Sequence, residues 1–381
     1  MFPYTNKLKL ECTHDQSAHE LFCRDLALKL ATNIRPSFKN IFDSDIKPKF
    51  TKKNQRGPNV QEISRLMRTN NEVKLWYRMR TDNQDRMYDI SSSIVNQQAR
   101  ALANSTKSAS GKCGSLTLHP SLKLPNYAVA INNHRTPGGY TFEKFDNDVS
   151  QAALYDRTIS IHNMGSQGEH NDDPGRSIAR WVKENYHSIK YKKILDMGCT
   201  IGNNTLPFKS VFPDASVWGI DISRPCLRYG HARACTLNHS IHFLQNNAEK
   251  TTFQPNSFDL IFSRILLHET SAQGLKKIIL ECHRLLKPGG LMIHCDAPQF
   301  NSITPYEASL RDWDATCNNE PFMTVLYSMS LEKLYIECGF KKENLIQKNI
   351  QSIFAQKNNI NSNATPGFRK SYFVTGALKP L

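Results

Sequence analysis

The sequence predicts an α/β fold for its last two thirds: a doubly wound, mostly parallel sheet with helices on both faces. Two observations carry this. From about residue 175, short apolar runs alternate with helical patterns. The first two runs end on carboxylates, Asp196 and Asp221, the first of them followed by a glycine-bearing turn. Residues 1–150 read differently, as a mainly helical region with loops.

In chain order, Ser17–Leu30 has helical spacing, with Leu21, Phe22, Leu26 and Leu30 as candidate buried positions. Lys49–Pro58 is polar, contains Gly57 and Pro58, and reads as a linker. Val60, Ile63, Leu66 and Met67 mark a further helix. Asn104–Gly114 is small and polar and reads as a mobile loop. The strands expected next are Ile194–Met197, Val217–Asp221, Ile241–Leu244, Phe258–Phe262 and Leu291–Cys295. Asn204–Val211 is expected to be helical. So is a segment through Leu275, Ile278, Ile279, Cys282, Leu285 and Leu286, stopped by Lys287-Pro288-Gly289-Gly290. Leu331–Gly339 reads as a helix and Ser371–Thr375 as a terminal strand.

Composition narrows the function classes. With 381 residues, 39% of them hydrophobic, the chain is long enough for one large domain or two smaller ones. No apolar run approaches the roughly 20 residues of a membrane helix. Met1–Lys7 lacks the basic-then-apolar layout of a secretion signal. The 10 cysteines form no C-x-x-C pair, so free thiols and a cytoplasmic setting are expected. Net charge is +15, and residues 1–140 hold 22 Lys and Arg against 11 Asp and Glu. Such an excess suits a solvated surface, a nucleic acid or a phosphorylated partner.

The chemistry concentrates where the apolar runs end. Asp196-Met197-Gly198-Cys199-Thr200-Ile201-Gly202 joins a strand to a helix, and its glycines let a ligand approach the backbone. Asp221 ends the next run, where a carboxylate can accept two hydrogen bonds from vicinal ribose hydroxyls. Gln245-Asn246-Asn247-Ala248-Glu249 closes the third, placing a polar side chain where it can bond an exocyclic amine. No G-x-G-x-x-G is present, which disfavours a dinucleotide.

Together with Ser257–Ile261 and Leu285–Gly290, this ordered series resembles the class I S-adenosylmethionine-dependent methyltransferases. It is most similar to the small-molecule branch containing the ubiquinone and menaquinone enzymes. The resemblance covers about residues 175–300 well. It implies a seven-stranded Rossmann-like sheet with an antiparallel final strand, and S-adenosyl-L-methionine as cofactor. Residue by residue it implies that Asp196, Gly198 and Gly202 shape the methionine pocket. Asp221 would hold the ribose, Ile222 pack on the adenine, and Asn247 and Ala248 lie at its edge. Ser263 would lie near the sulfonium. Two departures stand out: Thr200 where the family commonly has glycine, and Asn247 where it often has aspartate.

For the acceptor, His268 is the candidate base after the fourth run, and Asp296 the candidate substrate contact after the fifth. His294 reads as a packing residue. Residues 301–328 are expected to form an insertion over the substrate, within a 151–381 methyltransferase domain capped or dimerised by 1–150. No regular ligand spacing among His162, His170 and Asp172 points to a metal. The expected activity is O- or C-methylation of a small organic molecule. The alternatives are an RNA or protein methyltransferase docking through the basic first third, and a non-catalytic donor-binding subunit.

Overall fold

The computed structural model describes residue 8 and residues 10–111, 113–299, 302–358 and 370–381. Its sheet contains β1 (Gly114–Thr117), β2 (Lys193–Met197), β3 (Ser216–Asp221), β4 (Ile241–Gln245), β5 (Phe258–Arg264), β6 (Leu286–Cys295), β7 (Leu345–Gln351) and β8 (Ser371–Leu378). The strand order is β1-β4-β3-β2-β5-β6-β8-β7. The first six of these strands pair in parallel, and β8 runs antiparallel to both β6 and β7. The α/β expectation holds, with the final strand antiparallel. The count is eight rather than seven, because β1 adds to the free edge of β4.

The two sheet faces follow the period-2 alternation of side chains. Ile194, Val217, Leu260 and Ile293 pack with the helix Asp173–Asn185 on one face. Leu195, Ile220, Ile261 and Met292 pack with the helix Ala272–Leu285 on the other. The register sets Asp196 beside Gly219 and Phe262, so the ends of β2, β3 and β5 lie level. Loops leaving these ends surround one crevice, where sheets of this type bind ligands.

The first third is helical but less interrupted than the sequence suggested. Lys47–Asn54 is a helix within the expected linker, ended by Gln55 at φ 57°. Asn71–Ala109 is one long helix that runs into the expected loop at 104–114. Its Asn70 side chain caps the first turn, and Trp76, Tyr88, Ile94 and Leu102 bury its inner face. Small polar residues at 104–109 do not stop a helix that is already nucleated and packed. The helical part shares cores with the rest of the chain. Tyr88 and Val95 pack with Ala152 and Tyr229. Phe38 and Trp76 pack with Tyr306 and Trp313.

Cys113 and Cys235 form a disulfide with their Cα atoms 5.5 Å apart, so not every cysteine is a free thiol as expected. It ties the start of β1 to the helix Arg224–Thr236. The pairing was invisible in sequence because 122 positions separate the two residues. Among the described residues no helix is long and apolar enough to cross a membrane.

Candidate active site

A cavity of about 820 Å³ opens at the ends of β2, β3, β5 and β6. That is toward the upper end of the roughly 300–1,000 Å³ of small-molecule pockets. Asp196, Gly198, Thr200, Asp221, Ile222, Asn247 and Ala248 line the cavity. So do His268, Glu269, Asp296, His134 and Glu320, and Arg35, Trp76 and Arg80 come from the first third.

The donor end is built by turns rather than by long side chains. Gly198 sits at φ +72°, and a Cβ there would lie 2.9 Å from Leu266 Cδ1. Thr200 adopts φ 50°, the left-handed region that explains why glycine is usual here. Asp221 compensates: its Oδ2 accepts from the Thr200 N–H at 2.9 Å, and its Oδ1 accepts from the Ser223 N–H at 2.8 Å. One carboxylate thus fixes both loops. Gly202 acts elsewhere, letting its helix close onto Leu206 and Phe243; it does not line the cavity.

Asp196 is buried and accepts from the Thr205 hydroxyl at 2.6 Å. Burial raises its pKa to about 8, helped by the nearby Asp221 charge and opposed by that hydrogen bond. A buried carboxyl held in its neutral form is suited to a cationic ligand, whose charge would ionise it. Burial raises Asp221 as well, against the backbone N–H groups that hold it. Asn247 faces the cavity, but its Oδ1 already accepts from the Glu249 N–H at 2.9 Å. One lone pair of that oxygen remains for a ligand amine. This set of groups fits S-adenosylmethionine: a carboxylate level with a glycine turn, a second carboxyl responsive to positive charge, and an apolar shelf at Ile222 and Ala248.

Beyond it, His268 and Asp296 meet. His268 Nδ1 lies 2.6 Å from Asp296 Oδ1, and the Leu267 N–H donates to Asp296 Oδ2 at 3.1 Å. That contact assigns the donor proton to Nδ1 and leaves Nε2, which is buried, makes no hydrogen bond among the described residues and lies 3.8 Å from Glu269 Oε1. Burial alone would lower the His268 pKa, but Asp296 beside it raises it to about 9. The mutual charge holds Asp296 below the usual carboxylate range despite burial.

Ser263 does not line the cavity. Its hydroxyl lies 2.7 Å from His294 Nδ1, whose Nε2 lies 3.9 Å from Cys282 Sγ of the helix Ala272–Leu285. Alternation along β5 turns Ser263 away from the side that Arg264 faces. His294 is fully buried with its pKa pushed down to about 4 by desolvation, in keeping with a packing role. Of the 301–328 segment, residues 302–328 are described, mostly as the helices Pro305–Cys317 and Pro321–Ser328. They contribute Arg311, Asp314, Asn318, Glu320, Met323 and Tyr327 to the cavity wall.

Sequence reasoning missed His134 and gave no role to Glu269, next to the candidate base, or to Glu320 in the expected insertion. His134 sits between the two carboxylates, 3.0 Å from Glu269 and in contact with Glu320. Those partners raise its pKa well above the ordinary value, although burial opposes them. No local signal marks Asn133-His134-Arg135, since the carboxylates that pair with His134 lie 135 positions or more along the chain.

Comparison with known proteins agrees with this geometry. A family model described as a methyltransferase domain matches residues 194–290. Demethylmenaquinone methyltransferase of Geobacillus stearothermophilus is 29% identical over 153 residues, 39% of this chain and 60% of that protein. Phosphoethanolamine N-methyltransferase 3 of Arabidopsis thaliana is 31% identical over 112 residues, 28% of this chain and 22% of that protein. The solved phosphoethanolamine N-methyltransferase 2 of Haemonchus contortus superposes with a TM-score of 0.37 and 16% identity, covering 56% of this chain and 58% of that one. That superposition is too loose to carry detail. The chain spans about half the length of the curated relatives it matches. Residues 194–290, with their acid-and-glycine turn and the carboxylate at the end of β3, form a class I S-adenosylmethionine-dependent methyltransferase domain.

Proposed function

We propose that the chain transfers a methyl group from S-adenosylmethionine to an oxygen or carbon of a small organic molecule held in the cavity. When bound, the donor supplies an activated methyl on a sulfonium, so the protein needs to align the acceptor, exclude water and accept a proton. Asp221 binds the ribose hydroxyls. Asp196 and Gly198 shape the methionine pocket. Ile222, Asn247 and Ala248 take the adenine. His268 Nε2 accepts the acceptor's proton, and Asp296 orients the ring and stabilises the imidazolium formed. The helices of residues 1–150 and the 302–328 segment close the cavity over the acceptor.

The observation that carries this reading is the buried His268 Nε2, which makes no hydrogen bond among the described residues and lies in the same cavity as Asp221. A cavity of about 820 Å³ suits a small acceptor better than RNA or protein. The test is release of S-adenosylhomocysteine by the full chain over a panel of hydroxylated and enolisable metabolites. Turnover on at least one, abolished in His268→Ala, is expected. Donor binding without turnover on any member of the panel would favour the non-catalytic alternative.

A further inference from the structure

The far end of the cavity holds more positive charge than its own residues neutralise. Arg35 Nη2 donates to Asp314 Oδ2 at 2.8 Å, and Arg80 Nη2 lies 3.6 Å from the other oxygen of the same carboxylate. Two guanidiniums therefore share one acid. Arg80 spends Nη2 on Asn318 Oδ1 at 3.0 Å, while its Nη1 is buried with no partner. Arg311, on the helix Pro305–Cys317, lines the same wall, and no hydrogen bond or ion pair of its side chain is found among the described residues. Its field reaches Glu307 one turn away and the Tyr327 hydroxyl, which also feels Asp296 and Glu320.

The other carboxylates nearby are already engaged: Asp296 by His268, and Glu320 and Glu269 by His134. Among the described residues, no carboxylate makes a hydrogen bond or ion pair with Arg311 or with Arg80 Nη1. The guanidinium carbons of Arg35 and Arg80 lie 6.0 and 5.9 Å from the centroid of the Trp76 ring. Its Nε1 is fixed on the Leu30 carbonyl at 3.0 Å. The basic excess of the first third thus reaches the wall of the cavity through Arg35 and Arg80, in the same cavity as His268 and Asp296. Removing guanidinium groups from water without an anion is unfavourable, and the planar fork of arginine matches carboxylate and phosphate oxygens.

We propose that the acceptor is an anion, and that Arg80 and Arg311 bind its carboxylate or phosphate group while its reacting atom faces His268. This rests on the methyltransferase reading above. A neutral hydroxylated metabolite would leave both guanidiniums unpaired, so the site selects against it.

Inorganic phosphate and acetate serve as probes, each titrated calorimetrically into the full chain with and without saturating S-adenosylhomocysteine. Wild type is expected to bind at least one of them with a Kd in the millimolar range, and the stronger probe shows which oxyanion the site prefers. Arg311→Gln, which has no partner to lose, is expected to weaken that binding about tenfold while leaving S-adenosylhomocysteine affinity and melting temperature unchanged. Arg80→Lys should retain more binding than Arg80→Gln. Absence of binding by both anions, or equal binding in wild type and the Arg80→Gln/Arg311→Gln double variant, overturns the proposal. Anion binding without any S-adenosylhomocysteine binding would leave an anion site but remove its role as an acceptor site. That outcome sinks the methyltransferase reading separately.

Discussion

Asp221→Ala is expected to weaken S-adenosylhomocysteine binding by about a hundredfold, roughly 3 kcal/mol. Two losses combine. The carboxylate no longer accepts from the ribose hydroxyls, where charge-assisted hydrogen bonds are the strong kind. The Thr200 and Ser223 N–H groups also lose the acceptor that holds both loops. Thr200, at φ 50°, then has less to keep it in a strained conformation. Asp221→Asn separates the two effects. Its amide oxygen can hold one loop N–H, so the melting temperature should fall less than in the alanine variant, while ligand affinity still drops at least tenfold. Calorimetry and thermal unfolding read these out. Wild-type affinity in Asp221→Asn would remove the ribose contact from the account.

The second large effect is on the rate. His268→Ala is expected to lower turnover by about 10²–10⁴, the usual range for loss of a general base, with donor affinity unchanged within a factor of about two. The pH dependence has a definite sign. Only neutral His268 can take a proton, and Asp296 raises its pKa to about 9. The rate should therefore climb from pH 7 through a midpoint near pH 9 and level off above it. Asp296→Asn removes the strongest raising charge and leaves only Glu269 and Glu320 against burial, so the midpoint moves down. The same shift stabilises the fold: its contribution is fully present below the unfolded pKa and is lost as pH rises through about 9. A pH–rate profile with the same midpoint in wild type and Asp296→Asn would rule out this pair as the source.

The sheet was legible where strands are apolar and centrally placed. β2, β3, β4 and β5 read as apolar runs because both of their faces are covered. β7 did not, since Leu345–Gln351 exposes Gln347, Lys348 and Asn349 and buries only Ile346 and Ile350. Gly114–Thr117 is too short to show a period, and it is a strand because β4 has a free edge beside it. The donor end was legible because its chemistry is local: Asp196, Gly198 and Asp221 sit at strand ends whatever surrounds them. Ser263 shows the limit of that logic, because the residue after a strand run can fall on either face. The acceptor end was only half visible. His268 and Asp296 announced themselves at strand ends, but their neighbours His134 and Glu320 come from loops whose meeting depends on tertiary packing alone.

The central claim is that the end of the cavity formed by Asp196, Gly198 and Asp221 holds S-adenosylmethionine. The most direct test is calorimetry of S-adenosylhomocysteine on the full folded chain near pH 7, in two buffers of different ionisation enthalpy. Because burial raises Asp196 to about 8, the carboxyl is mostly neutral before binding, and the ligand's ammonium should ionise it. The account predicts one site per chain and release of close to one proton, lost in Asp196→Asn. Absence of any binding heat in either buffer, from protein shown to be folded, would contradict it.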